Sequence, residues 1–280
     1  MVIGGVLTAA MIVELGRALL GSGLAGLGRT IPHDPRFYLA FAVLYMVPQT
    51  ADYVIFRRLW GIPLAGLAAL TKKRIANDVV LGYSGEAYFY AWARARAKMV
   101  AAPFGAVKDV SILSAVAGNA ITLLMIAIAL PFGYGLLTPG MLRVVAGSAA
   151  VTVAMSLPFL IFSKRVFSLP RPVLRWVFRV HCLRILAGSV LLALAWHYAM
   201  PDISVAMWLF LAVGRLLVSR LPLAPNKDLL FANFAILLIG QGRALSGLMA
   251  FTAALTLLVH VVLIGAFSLH GLFTRIGRRR

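Results

Sequence analysis

Acidic residues are scarce in this chain: 8 Asp+Glu stand against 27 Lys+Arg in 280 residues, for a formal charge of +19. With so few carboxylates, paired aspartates at the spacing of a two-metal transferase are absent. Cysteine is nearly absent too, and the single Cys182 excludes an intramolecular disulfide. The five histidines, His33, His181, His197, His260 and His270, fall on separate segments without metal-ligand spacing, so no metal and no cofactor are expected. Phosphate-loop GxxxxGK, zinc-protease HExxH and hydrolase GxSxG patterns are missing, which argues against an enzyme and names no catalytic residue. Charged residues make up only 12% of the chain, whereas hydrophobic residues make up 62% and the mean hydropathy is +0.94. That balance exceeds what a soluble core absorbs and excludes a soluble nucleic-acid binder despite the basic charge. The chain reads as an all-α, polytopic integral membrane protein.

Uncharged stretches near the ~20 residues needed to cross a bilayer mark the spans. Phe37 to Phe56, Val110 to Pro131, Leu142 to Ile161, Ile185 to Met200 and Leu245 to Leu269 are clear; Ile203 to Val218 and Leu229 to Gly240 are shorter; Val2 to Ala25 is weaker. Early Glu14 and Arg17, with no positive n-region, make that first stretch resemble a retained span rather than a cleaved signal. The expected architecture is one transmembrane domain over 1–280, a helical bundle of about eight spans. Basic clusters at Arg57/Arg58 with Lys72 to Arg74, at Lys164 to Arg179 and at Arg275 to Arg280 mark cytoplasmic loops and place both termini in the cytoplasm.

Two regions break the pattern. Between residues 60 and 107 the apolar stretches are too short to span and alternate with Lys72, Lys73, Arg74, Asp78, Arg94, Arg96 and Lys98. Broken or re-entrant helices fit this region, and so does an amphipathic hairpin on the membrane surface. Over 220–242, Pro222 and Pro225 forbid a continuous helix before the apolar run from Leu229. Interrupted segments in both halves of a chain point to a midplane site and to an internal inverted repeat.

Candidate site residues follow from the cost of polar groups near hydrocarbon. Glu86 lies between the Gly82/Gly85 interruptions and Tyr90, one turn on, shares its face. Its alternative is an ion pair with Arg94, Arg96 or a base of Lys72 to Arg74. Arg94 is suited to clamp a phosphate or to anchor at the interface, and Arg215 interrupts an apolar run and needs an intramembrane partner. Lys227 and Asp228 offer a base and an acid at the second break, where Asp228 joins Glu86 as a partner for Arg215. Gln49, Asp52 and Asn119 sit within apolar spans as cavity-lining groups or, for Gln49 and Asn119, as interhelical glue. Buried, Asp52 requires an ionic partner.

The segment Gly82-Tyr83-Ser84-Gly85-Glu86-Ala87-Tyr88, the span opening Lys108-Asp109-Val110, and the turn Leu221-Pro222-Leu223-Ala224-Pro225-Asn226-Lys227-Asp228 resemble the flippase-like family, the membrane domain of lysylphosphatidylglycerol synthases and their stand-alone relatives. The resemblance covers roughly Phe37 to Gly265. Pro225-Asn226-Lys227-Asp228 departs from the family's Pro-Gly-Gly-rich motif leading into Arg-Glu, and the soluble aminoacyl-transferase domain is not seen. The resemblance implies a transporter of a membrane lipid, either an anionic or aminoacylated phospholipid or a lipid-linked precursor, in a bacterial inner membrane, with a homodimer as one assembly. An enzyme acting on a lipid headgroup and a non-transporting scaffold are the alternatives.

Overall fold

The computed structural model describes residues 31–80, 84–96, 104–220, 231, 235–236, 238–239 and 242–277. The described residues are helical, joined by turns and one short 3-10 segment. In chain order they form α1 (Pro35–Trp60), α2 (Ala65–Val79), α3 (Ser84–Arg96), α4 (Phe104–Gly133), α5 (Pro139–Ile161), α6 (Ser163–Val166), α7 (Arg171–Ala199), α8 (Val205–Arg220) and α9 (Gly242–Gly277). Five stretches are long and apolar enough to cross a membrane: Pro35–Trp60, Phe104–Phe132, Pro139–Phe159, Arg171–Ala199 and Gly247–Leu269. The chain is therefore a helical membrane protein.

These helices obey the rule that hydrocarbon leaves no polar group to water. Thr122, Thr152, Ser156, Ser189, Thr252 and Thr256 each donate their hydroxyl to the carbonyl four residues back, satisfying it within the helix. Pro48, Pro131 and Pro158 lie inside helices rather than ending them, as spanning helices tolerate. Large apolar side chains such as Leu39, Phe132, Val144, Leu183 and Val262 are exposed, the outer surface expected of a protein solvated by lipid chains. Helix ends carry local signals. Gly61, at φ +61°, closes α1 by donating its N–H to Arg57, a left-handed cap that glycine adopts without strain. Thr138 caps α5 by accepting from Met141 N–H, with Pro139 in the first turn.

The chain groups into two compact units. One contains residues 52–96 and 247–277, hence the end of α1, all of α2 and α3, and most of α9. In it, α2 and α3 pack on each other, and Ile75, Ala76 and Ile264 form a buried cluster with Val79, Leu257 and Val261. The other contains residues 32–51 and 104–246. There α4 packs on α5, α7 and α8, around Ala117, Ile121 and Ile185 with Met125, Phe178, Cys182 and Leu216. Trp196 lies against both Trp208 and Phe231 in this unit.

The expected spans extend beyond their uncharged cores. Ile185 to Met200 is the second half of a continuous helix that starts at Arg171, because arginine stems run along a helix surface without breaking it. Val110 to Pro131 begins earlier, at Phe104, because Lys108 and Asp109 are satisfied by the end of α6 and the segment after it: Lys108 donates to the Val166 carbonyl, and Asp109 accepts from the N–H groups of Ser168 (2.6 Å) and Leu169 (2.8 Å). Ile203 to Val218 corresponds to the 16-residue α8. Val2 to Ala25 lies outside the described residues, as does most of Leu229 to Gly240.

Candidate functional site

On α2 the buried positions Gly66, Ala69, Leu70, Lys73 and Ala76 recur at three- and four-residue spacing, so they share one helical face, and Lys73 falls within it. An ammonium there requires compensating charge, and two carboxylates supply it. Lys73 Nζ donates to Asp52 Oδ2 at 2.7 Å and lies 3.3 Å from Glu86 Oε1. Asp52 comes from the last third of α1 and Glu86 from the first turn of α3. All three are largely shielded, with side-chain exposures of 10% for Lys73, 12% for Asp52 and 18% for Glu86.

Local sequence explains the convergence. Gly85 passes so close to α2 that a Cβ there would land on the Lys73 carbonyl oxygen, so the approach needs glycine. Asn77, one turn beyond Lys73, bridges the same two helices: its Nδ2 donates to Glu86 Oε2 at 2.9 Å, and its Oδ1 accepts from Gly85 N–H at 2.7 Å. Ser84 Oγ donates to the Ala76 carbonyl at 3.0 Å. Thus α2 supplies the acceptor for an otherwise orphaned N–H at the start of α3. Glu86 also sits where the α3 dipole favours negative charge. Asp52 is fixed by its own neighbours, because Phe56, one turn later, packs on Phe89 of α3 at 4.6 Å between ring centroids. Trp60 and Trp92 also stack against Phe89, at 6.2 and 5.8 Å between ring centroids.

Lys73 is thus shared between two carboxylates from different helices. Burial alone would depress the Lys73 pKa, but attraction to Asp52 and Glu86, with their hydrogen bonds, outweighs it and holds the ammonium above its ordinary value. Lys73 is therefore a fixed cation held between the two carboxylates. Such an arrangement suits exchange of the lysine for a cationic group of a ligand, or uptake of a proton.

The other expected site residues lie as follows. Tyr90 is on α3 one turn after Glu86 and is half-buried. Arg94 and Arg96 are exposed at the end of the same helix, and Arg96 lies over the Trp92 ring at 5.0 Å. Neighbouring Lys72 is half-buried over Phe267; burial, then repulsion from Arg96, lowers its pKa. Gln49 is buried on α1, three residues before Asp52. Asn119 joins α4 to α5 by donating to Ser156 Oγ at 2.9 Å, an interhelical bond. Arg215 is exposed on α8. Lys227 and Asp228 lie outside the described residues. Among the expected residues the structure thus brings Asp52 and Glu86 together.

Of the bases Lys72 to Arg74 that the sequence offered as ion-pair partners for Glu86, the structure selects Lys73, and Asn77 is the partner that sequence reasoning left unnamed. Both carried a signal: Lys73 shares the apolar face of a short helix, and Asn77 follows it by four. Arg184, about halfway along the 29-residue α7, was passed over as well, although it stands between Leu183 and Ile185. Among the described residues no group of three or more His, Cys, Asp or Glu is arranged to hold a metal. No protein-family model, no curated protein and no solved structure matches this chain.

Proposed function

We propose that this protein is an integral-membrane lipid transporter, moving a polar-headgroup lipid or lipid-linked precursor across the bilayer. The carrying observation is the shielded Lys73–Asp52–Glu86 cluster, built where two short helices, α2 and α3, meet the long apolar α1. Ionisable groups at membrane depth are costly and mark substrate or ion pathways by default. At 1.5 Å per residue, α2 (15 residues) is about 22 Å long and α3 (13 residues) about 20 Å, short of the ~30 Å hydrocarbon core. They are read here as a re-entrant pair whose polar groups face a wet path, with the headgroup entering it and the acyl chains remaining in lipid. A cationic headgroup substituent, or a proton, then exchanges with Lys73 at Asp52 and Glu86.

The full architecture in this reading has about eight spans. The five apolar helices are joined by Val2 to Ala25, α8 and Leu229 to Gly240, with both termini cytoplasmic. The basic loops support that orientation. The membrane proposed is the bacterial inner membrane. The scaffold reading has one observation in its favour: Asn77 and Lys73 engage both oxygens of Glu86, which also makes it a staple of the α2–α3 pair.

Reconstituted proteoliposomes carrying headgroup-labelled phospholipids decide between them. A transporter speeds movement of label between leaflets, and Glu86→Gln and Asp52→Asn abolish that while leaving the protein folded. Unchanged movement in both folded variants, or none with the native chain across zwitterionic, anionic and aminoacylated lipids, removes the transport reading.

A further inference from the structure

We infer that the exposed side of α7 is a docking face for an anionic phospholipid, with three arginines for the headgroup and apolar side chains for the acyl chains. Arg171, Arg175 and Arg179 are exposed and follow one another at four-residue spacing, which sets them along one side of the helix. The same side continues at three- and four-residue spacing through Leu183, Leu186 and Val190, all exposed. Val177, Ile185 and Leu192 are buried on the opposite side, where α7 packs on α4 and α8. At 1.5 Å per residue the cationic stretch is about 12 Å long and the apolar one about 10 Å.

The change from charge to hydrocarbon falls where a membrane surface would lie. Asp109 accepts from the N–H groups of Ser168 and Leu169, and Lys108 donates to the Val166 carbonyl, so α7 starts beside the start of α4. The apolar run of α4 begins there, at Val110, and the three arginines precede the uncharged stretch of α7 that begins at Ile185. No acid stands between Asp109 and Asp202 in the sequence, and among the described residues none of the three arginines has an ion pair. Guanidinium groups bind phosphate oxygens bidentately, and a row of them one turn apart suits the phosphate layer of an anionic leaflet. The apolar half decides the occupant. An acidic soluble protein would match the arginines but not Leu183, Leu186 and Val190, whereas one phospholipid covers both lengths.

The face holds its lipid whether or not the chain transports one, so binding is the readout. Native mass spectrometry of the gently extracted full chain, offered equal amounts of phosphatidylglycerol and phosphatidylcholine with the same acyl chains, is expected to show selective retention of the phosphatidylglycerol. Each of Arg171→Gln, Arg175→Gln and Arg179→Gln is expected to lower that selectivity about fivefold, and all three together about a hundredfold, as loss of a base near an anionic lipid surface does. The three side chains are exposed, so packing survives their loss, and the single variants carry the test if the triple one fails to fold. Arg143→Gln removes an equal charge from the exposed start of α5, at the other end of α4, and is expected to leave selectivity unchanged. Neither glycerophosphoglycerol, which is the headgroup without acyl chains, nor polyglutamate at matched charge is expected to displace the lipid. Displacement by glycerophosphoglycerol removes the apolar half from the site, displacement by polyglutamate makes the face a surface for an acidic protein, and either overturns the proposal. So does equal retention of both lipids by the native chain, unchanged selectivity in the folded arginine variants, or an equal loss in Arg143→Gln.

Discussion

Replacing Lys73 by Met is expected to destabilise the protein far more than neutralising either carboxylate beside it. Charge pairs at about 4 Å with an effective dielectric of 20 attract by roughly 4 kcal/mol, so the two contacts of Lys73 contribute roughly twice that before desolvation is subtracted. Desolvating three charges offsets most of it, which is why a fully neutral cluster is expected to be tolerated. Lys73→Met removes the attraction and leaves two shielded carboxylates facing one another; breaking a buried pair in this way costs about 3–5 kcal/mol. Glu86→Gln instead brings the cluster to neutrality, keeps the shape, and retains the 2.7 Å contact of Lys73 with Asp52. Its expected cost is under about 1 kcal/mol. Asp52→Asn falls between, because the surviving Lys73–Glu86 contact is longer at 3.3 Å. Combining Lys73→Met with Asp52→Asn and Glu86→Gln is expected to recover most of the loss. Thermal unfolding in detergent, followed by far-ultraviolet circular dichroism, reads the order, with Lys73→Met lowering Tm by on the order of 10 °C. If Glu86→Gln proves as damaging as Lys73→Met, or if the triple variant is no better than the single one, the role of Lys73 as the shared cation of the two carboxylates is wrong.

Other consequences are open to measurement by the same means. Gly85→Ala forces α3 away from the Lys73 carbonyl and is expected to cost about 1–3 kcal/mol in the same melting assay, whereas Gly61→Ala, which meets no neighbour but sits at positive φ, costs about 1 kcal/mol. Because the folded pKa of Lys73 is raised, its stabilising contribution is fully present below the unfolded value of about 10.4 and is lost as pH rises through the folded one. Tm is therefore expected to carry no Lys73-dependent change between about pH 7 and 9.5, tested by comparing native and Lys73→Met curves. Asp109→Ala strips the acceptor from two backbone N–H groups and is expected to cost about 2 kcal/mol and to speed proteolysis between Val166 and Leu169. Asn119→Ala removes one interhelical bond and is expected to cost only about 0.6 kcal/mol, with no effect on phospholipid retention.

The long helices were legible because hydropathy over some 20 residues is a cumulative signal that a single base does not erase. Their ends were less so. Arg171, Arg175 and Arg179 read as a loop, yet they occupy the first turns of α7, because a charged side chain reports its own solvation and says little about the backbone beneath it. The Gly82/Gly85 interruption before Glu86 marked the start of α3 closely, since Gly85 is where α3 approaches α2 most tightly. Asp52 and Glu86 stood out because carboxylates are rare in this composition. Their common partner was hidden by numbers: Lys73 is one of 27 bases, and its separation from Asp52 in sequence is 21 residues. Only closure of α2 against α3 singles it out.

The location of this ion cluster follows from the same economy that shapes the rest of the bundle. Along the spanning helices, hydroxyls turn back onto their own carbonyls and Asn119 finds Ser156, so these neutral groups are satisfied by local or pairwise contacts. A charge has no such cheap solution. It needs opposite charge on another element, and bringing three elements to one point requires a backbone free to bend between them. The α2–α3 pair has that freedom: Gly61 ends α1 before α2 with a left-handed cap, and Gly85 admits contact with the Lys73 backbone. A long continuous span lacks it, and Arg184 on α7 accordingly meets a hydroxyl where Lys73 meets carboxylates. The two cations thus differ in their surroundings. Lys73 meets two carboxylates from other helices, whereas Arg184 meets a neutral hydroxyl.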